Sequence, residues 1–177
     1  WKFDETSGTI DHDALNANNG LLMNVNGLTW TNGQVNGGLN FDGEGCSSVS
    51  IDSGLVNIDL YSICAWIKTN QYDWRIIGGM FSGRALFDMN QGKLSFEEYS
   101  GWDWGEIQGN TLINDQTWHH VCAVRVTNGL VSFYVDGKLD NTPTATGRTP
   151  SWVASTIIGG RGGCGGGVFV VKRVLVE

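Results

Sequence analysis

The side chains with the clearest chemical potential are aromatic residues set among polar ones in the middle of the chain. Large rings in polar turns are costly to expose without a use. A sugar ring offers C–H groups to an aromatic face and hydroxyl groups to carboxylates, so tryptophan beside aspartate and glutamate is typical of a saccharide site. The alternative is that the rings only cover the open ends of a β-sandwich. The predicted ligand-binding residues are Trp74, Tyr99, Trp102, Asp103, Trp104 and Glu106.

The carboxylates near these rings do not have the spacing of a glycosidase. That reaction needs two carboxyl groups about 5 to 9 Å apart across the scissile bond. Glu97 and Glu98 are neighbours and should point to opposite faces of a strand. Asp103 and Glu106 converge only if the chain bends between them. We therefore expect a binding protein and not an enzyme, with glycan cleavage as a less favoured alternative.

A polar loop near the start of the chain is rich in oxygen donors. Asp11, Asp13, Asn16, Asn18 and Asn19 supply the hard ligands that calcium prefers. Their spacing differs from that of an EF-hand loop, which has a central glycine and a closing glutamate. The alternative is an ordinary loop whose side chains cap their own backbone.

Four cysteines, at positions 46, 64, 122 and 164, are widely spaced. No Cys-x-x-Cys or cysteine–histidine zinc pattern is present. The even number favours two disulfides formed in an oxidising compartment over four buried free thiols. Three pairings are possible, and the spacing alone does not choose among them.

Composition limits the possible partners. The chain has 177 residues, with 11 Lys and Arg against 18 Asp and Glu, giving a net charge of −7. This balance, with no basic run, excludes a nucleic-acid surface or an anionic-membrane patch. No apolar stretch approaches the roughly 18 residues that cross a bilayer. The length predicts one domain over residues 1–177.

The elements that must position these residues are predicted to be strands. No long window carries a helical apolar stripe, and Asn-Gly and Asp-Gly pairs mark hairpin turns. Trp66 and Trp118 lie in apolar blocks and are predicted to be core. The chain therefore predicts an all-β jelly-roll β-sandwich of two antiparallel sheets. Candidate strands are 39–41, 48–51, 62–69, 75–80, 85–89, 93–99, 119–126, 130–135, 155–158 and 168–176.

Several blocks, in order along the chain, resemble the laminin-G-like members of the concanavalin A-like lectin/glucanase superfamily. The likeness extends from Trp1 to about Gly160 and implies the jelly-roll fold. Members of this superfamily bind glycans or extracellular proteins. The blocks are Trp1-Lys2-Phe3-Asp4-Glu5 with Asp11 and Asn19-Gly20, Gly38-Leu39-Asn40-Phe41-Asp42-Gly43, Cys64-Ala65-Trp66-Ile67-Lys68, Trp118-His119-His120-Val121-Cys122 and Tyr134-Val135-Asp136-Gly137-Lys138.

The resemblance also bears on the cysteines. Cys64 and Cys122 look like the two strand positions that pentraxins, a branch of the same superfamily, join by a disulfide. Cys46 with Cys164 then follows by elimination. The resemblance thus implies an extracellular module of a longer secreted protein.

Calcium is the cofactor that the resemblance implies. Its expected ligands are Asp11, Asp13, Asn16 and Asn19, with Asp42 joining from a neighbouring strand end. The chain departs from the family in its last strand, where the family usually has an acidic pair. Here that strand reads Val168-Phe169-Val170-Val171-Lys172-Arg173-Val174-Leu175. Any calcium site in this chain therefore lacks those two carboxylates.

Overall fold

The fold is known from a computed structural model. It describes residues 1–15, 17–43, 46–51, 60–79, 85–99, 104–126, 129–141, 144–145, 156–161, 163–166 and 168–176. None of the helices in these ranges is long and apolar enough to span a membrane.

Short strands separated by turns make up nearly all of the regular structure. The strands in chain order are β1 (Ile10–Asp11), β2 (Gly20–Met23), β3 (Leu28–Asn32), β4 (Gly37–Asp42), β5 (Ser48–Ile51), β6 (Tyr61–Thr69), β7 (Trp74–Gly79), β8 (Ala85–Asn90), β9 (Lys93–Tyr99), β10 (Trp104–Leu112), β11 (His119–Val126), β12 (Leu130–Val135), β13 (Lys138–Leu139), β14 (Thr144–Ala145), β15 (Thr156–Ile158), β16 (Gly160–Arg161), β17 (Gly163–Gly166) and β18 (Val168–Val176). A 3₁₀ turn, Val25–Gly27, connects β2 and β3.

Two large antiparallel sheets form the sandwich, which confirms the predicted fold class. The first sheet, sheet A, has the strand order β1-β2-β5-β15-β7-β8-β9-β10. The second, sheet B, has the order β13-β12-β11-β6-β18-β4-β3, and β14 also pairs with β12. Strands β16 and β17 form a separate small ladder.

The core lies between the sheets, and β6 shows the alternation that builds it. In β6, Tyr61, Ile63, Ala65 and Ile67 are buried while the residues between them are half-buried or exposed. Because successive side chains of a strand point to opposite faces, this pattern fixes which face of each strand points outward. Trp66 therefore lies on the outer face and not in the core, contrary to the prediction. Trp118 is also only half-buried.

A buried ion pair links the two sheets. Arg125 of β11 donates from Nε to Oε1 of Glu98 in β9 at 2.6 Å, and both side chains are almost fully buried. The Tyr61 hydroxyl donates to the same oxygen at 3.2 Å. Burial, followed by the nearby Glu98 charge, raises the pKa of Tyr61, so its hydroxyl keeps the proton that it donates.

A disulfide joins Cys64 and Cys122, as predicted. The two cysteines are register partners on the adjacent strands β6 and β11 of sheet B. Cys46 also takes part in a disulfide. The side chain of Cys164 lies outside the described residues, so its pairing with Cys46 stays a prediction.

Candidate functional site

The polar outer face of β8, β9 and β10 is the most developed candidate binding surface. Leu94 and Phe96 of β9 and Phe87 of β8 belong to the core. The residues that alternate with them must point to the opposite side of sheet A. We call this surface the polar face. Its described members are the half-buried or exposed Asn90, Lys93, Glu97, Glu106 and Gln108 and the buried Asp88 and Ser95.

Glu106 is held in place by hydrogen bonds within this face. Its Oε1 accepts from Asn90 Nδ2 at 2.6 Å and from Ser95 Oγ at 2.7 Å. Ser95 is fully buried, whereas Glu106 is exposed. A carboxylate fixed through one oxygen keeps its other oxygen for a ligand and loses little side-chain entropy on binding.

Strand register brings a second carboxylate beside the first. Glu97 is the direct partner of Glu106 across the β9–β10 ladder. Side chains at directly opposite positions have Cβ atoms about 5 Å apart, and two like charges there repel. Glu98, the next residue along, faces the core, so adjacent glutamates do point to opposite faces as expected.

Two of the predicted aromatic residues fall at one end of the same ladder. Tyr99 and Trp104 are register partners, two residues along each strand from Glu97 and Glu106. Trp74 opens β7, where its register partner is Met89 of β8, and Met89 in turn pairs with Leu94 near the start of β9. The register therefore does not bring Trp74 next to Tyr99 and Trp104, which lie at the other end of β9. The side chains of Trp74, Tyr99 and Trp104 lie outside the described part of the structure, as do Trp102 and Asp103 entirely.

Several members of the polar face were not predicted from the sequence. Ser95, Asn90 and Gln108 carry no motif, and Gln108 Nε2 donates to the Asn90 carbonyl at 2.5 Å. The available signal was the alternation in β9, where Leu94 and Phe96 bracket Ser95. It indicates an outward serine, but pairing with Glu106 depends on a register that local sequence does not specify.

Asp13 and Asn19, two of the predicted calcium ligands, are engaged by backbone groups of their own loop. The Asp13 carboxylate accepts from the N–H groups of Leu15, Ala17 and Asn18 at 3.1 to 3.3 Å. Asn19 Oδ1 accepts from the Asp13 N–H at 3.0 Å. Burial opposes these bonds, but they outweigh it and lower the pKa of Asp13. This pattern is typical of a self-capping loop.

Asp11 has a different environment, because it is fully buried beside another carboxyl group. Its Oδ1 accepts from the Phe3 N–H at 3.1 Å. Glu5 lies within hydrogen-bonding reach, and its own Oε1 accepts from the His12 N–H at 3.1 Å. Burial, followed by contact with Glu5, raises the pKa of Asp11 to about 8. Burial alone would raise the pKa of Glu5 too, but the bonds from His12 and Asp11 lower it.

The other predicted calcium ligands are not shown in contact with Asp11. Asp42 is exposed at the end of β4, and a Cβ at Gly27 would contact its Oδ1. Asn16 lies outside the described residues. Asp11 is hydrogen-bonded to the Glu5 carboxyl group, and with its pKa raised to about 8 it keeps the proton of that bond at neutral pH.

The two adjacent histidines have structural contacts. His119 Nδ1 lies 2.8 Å from Asp136 Oδ2, and its Nε2 lies 3.2 Å from Asp115 Oδ1. His120 packs on the Trp66 ring with 5.1 Å between ring centroids. His120 also groups with Cys64 and Cys122. Those cysteines are bonded to each other, so they offer no thiolate to a metal.

A shallow cleft near β13 is a weaker candidate for a ligand site. Asp140 lines it, but the carboxylate accepts from the Asn110 and Thr111 N–H groups at 2.8 and 2.9 Å. Asp136 also lines it and is held by His119 and the His120 N–H. The Asp140 carboxylate therefore ties the edge of sheet B to β10 of sheet A, whereas Asp136 joins the turn after β12 to β11 within sheet B.

A family model described as the concanavalin A-like lectin/glucanases superfamily matches residues 42–170. The chain belongs to this superfamily. Its laminin G-like fold is typical of non-catalytic binding domains and of modules that bind carbohydrate or protein. No curated protein sequence matches the chain.

Solved structures of the superfamily fold are similar to this concanavalin A-like chain. The binding domain of botulinum neurotoxin serotype D matches with a TM-score of 0.70 and 10% identity, over 99% of this chain and 48% of that one. Trypanosoma rangeli sialidase matches with a TM-score of 0.67 and 13% identity, over 98% and 29%. Domains LG4-5 of the mouse laminin alpha1 chain match with a TM-score of 0.56 and 15% identity, over 67% and 36%.

These likenesses concern the fold alone, because the identities are low. The chain spans less than half the length of each of these structures.

Proposed function

We propose that this chain is a non-catalytic glycan-binding module whose ligand lies on the polar face of β8, β9 and β10. The observation that carries the proposal is the exposed Glu106 carboxylate, oriented by Asn90 and Ser95 and directly opposite Glu97. Sugar hydroxyl groups donate well to ionised carboxylates, and such bonds are stronger than neutral ones.

Aromatic residues supply the second half of the proposed site. The register places Tyr99 and Trp104 at the next position of the ladder that holds Glu97 and Glu106. Trp102 and Asp103 lie in the short connection between these two strands. A pyranose ring stacked on such aromatics would have its hydroxyl groups within reach of the carboxylates.

The test is a glycan array probed with the folded domain and with matched variants. Glu106→Gln keeps the shape of the side chain but removes the charge, so we expect the signal of bound glycans to fall roughly tenfold. Trp102→Ala should lower it comparably. Asp115→Asn and Trp30→Ala change a carboxylate and a tryptophan away from this face and serve as controls.

Two results would count against this proposal. One is silence across the array from a folded protein. The other is release of glycan fragments that Glu97→Gln or Glu106→Gln abolishes, since that would make the domain a glycan-cleaving enzyme and give the opposed carboxylates a catalytic role.

Protein adhesion is the second candidate, because one apolar patch is exposed on sheet A. Ile10 and Leu21 are register partners on β1 and β2, and Met23 follows on β2. These three side chains are 41% to 49% exposed, as is Val25 at 43%. Leu21→Ser with Met23→Ser should abolish binding to a panel of immobilised matrix proteins and leave glycan binding unchanged. Loss of glycan binding instead would reject this assignment of the patch.

We also propose that the domain is an extracellular module of a longer protein. The Cys64–Cys122 disulfide and the oxidised Cys46 support this location, because disulfides persist in oxidising compartments.

A further inference from the structure

The Cys64–Cys122 disulfide and the His120 ring form a cluster on the outer face of sheet B. Ile63 and Ala65, on either side of Cys64, belong to the core, so the Cys64 side chain points away from it. Cys122 is the register partner of Cys64 on β11, and His120 lies two residues before Cys122 on the same face. One ring nitrogen of His120 and the two sulfur atoms all lie within 4.8 Å of one another.

The position of His120 is fixed both by its backbone and by its ring. Its backbone N–H donates to Asp136 Oδ1 at 2.9 Å, and its carbonyl accepts from the Asp136 N–H at 2.8 Å. Trp66 is its register partner on β6, and the two rings pack with 5.1 Å between their centroids. A side chain that is already oriented in this way loses little entropy when it binds an ion.

The strand ladder, in addition to the disulfide, keeps the two cysteines together. β6 and β11 are paired at seven consecutive positions, from His119 to Arg125 on β11. The cysteines are the middle pair of this ladder, and their Cα atoms lie 4.1 Å apart. Reduction of the disulfide would therefore leave two thiols opposite each other and beside His120.

Two thiolates and one imidazole are the donor set of a zinc site. Zinc binds cysteine and histidine with tetrahedral geometry and Zn–S bonds of about 2.3 Å, and three protein ligands leave the fourth position to water. Calcium prefers oxygen donors, so this cluster suits a different ion from the polar loop near the start of the chain.

We propose that Cys64, Cys122 and His120 form a zinc site that exists only when the disulfide is reduced. A dithiol reductant supplies two electrons and two protons. Its own sulfurs join in a new disulfide, and the Cys64–Cys122 bond becomes two thiols. Zinc then displaces both thiol protons and bonds to the two sulfurs and to the His120 nitrogen. The proposal does not depend on glycan binding.

The test is a calorimetric zinc titration of the whole domain before and after reduction. A phosphine is the reductant, because a dithiol would compete for zinc. The phosphine becomes its oxide with the oxygen of one water molecule, whose two protons go to the two sulfurs. We expect one zinc ion per reduced chain and no comparable binding to the oxidised chain.

Matched variants identify the ligands. His120→Phe keeps an aromatic ring against Trp66 but removes the nitrogen, so it should weaken zinc binding at least about tenfold. The same change at the exposed His12 should leave zinc binding unchanged.

A second set of variants separates the four cysteines. Cys64→Ser with Cys122→Ser should abolish zinc binding, whereas Cys46→Ser with Cys164→Ser should keep it. Cobalt gives an independent readout, because thiolate–cobalt bonds absorb in the near ultraviolet. That absorption should appear only in reduced chains that retain Cys64 and Cys122.

Other results would overturn the proposal. Equal zinc binding by the oxidised and reduced chains would show that the thiolates take no part, and unchanged binding by His120→Phe would remove the histidine from the site. Zinc binding lost in Cys46→Ser with Cys164→Ser would place the ion elsewhere. A reduced chain that stays folded but binds no zinc also contradicts it. So does a reduced chain that unfolds by circular dichroism and is not refolded by zinc, since the ladder would then not hold the thiols together.

Discussion

At the residue scale, His119 connects two turns through carboxylates on either side of its ring. Asp115 and Asp136 both contact it. Hydrogen bonds from Thr117, and then from His119, hold the pKa of Asp115 below its usual value. Burial would raise the pKa of Asp136, but the His119 ring and the His120 N–H outweigh it and lower the value.

These lowered pKa values predict that the free energy of unfolding falls as the pH is lowered. A carboxyl group whose folded pKa is depressed stabilises the protein above its unfolded pKa of about 3.9, and that contribution is lost as pH falls through the folded value. Asp136→Asn should therefore flatten the fall in the free energy of unfolding below about pH 4. Asparagine suits the backbone there, where φ is 51°. Urea unfolding across this range is the measurement, and an unchanged slope would contradict it.

At the element scale, the sheets are joined by charge as well as by apolar packing. Glu98 and Arg125 come from β9 and β11, and removing either one would leave the other as a buried charge without its ionic partner across the sheets. Removing one partner of such a pair costs roughly 3 to 5 kcal/mol, whereas replacing both with apolar residues can be nearly neutral.

Glu98→Gln should therefore lower the free energy of unfolding by about 3 kcal/mol or more. The double variant Glu98→Leu with Arg125→Leu should recover most of that loss. Denaturant unfolding of the two variants and the parent tests this. A double variant no more stable than Glu98→Gln would show that Tyr61 and other polar contacts, not the ion pair, dominate the energetics here.

Local sequence predicted strands well where β-branched and apolar residues alternate. The 119–126 prediction coincides with β11, and 62–69 falls within β6. The local sequence did not predict β10, because Gly105, Gly109 and Asn110 are weak strand formers. That strand exists because β9 pairs with it along its length.

The candidate site also divides into positions that the local sequence predicts and contacts that only the folded chain creates. The aromatic and carboxylate positions were predicted from their polar surroundings in the sequence, and for the aromatic side chains this stays a prediction. The Glu97–Glu106 register and the contact of Glu5 with Asp11 were not, since both arise only when separate segments meet. Cys64 with Cys122 was predicted from the resemblance, which supplies the pairing that spacing leaves open.

At the scale of the whole molecule, charge should select among glycans. The chain carries a net charge of −7, and the polar face contributes carboxylates from Glu97 and Glu106. Repulsion of this kind extends over a Debye length, about 8 Å at physiological salt. We expect neutral and amino sugars to bind better than sialylated or sulfated ones. An array read at low and high salt checks this, and acidic glycans preferred at low salt would contradict it.

The position of β18 affects how the chain can fold. This strand lies between β6 and β4 in the middle of sheet B, although it is the last strand of the chain. The two strands that pair with it are β4, which ends at Asp42, and β6, which ends at Thr69. Neither can form this pairing until about a hundred further residues have been synthesised. Until then each presents an open strand edge to any neighbouring chain. A ribosome making this domain must therefore finish β18 before sheet B can close, and slow synthesis would prolong the period in which aggregation competes with folding.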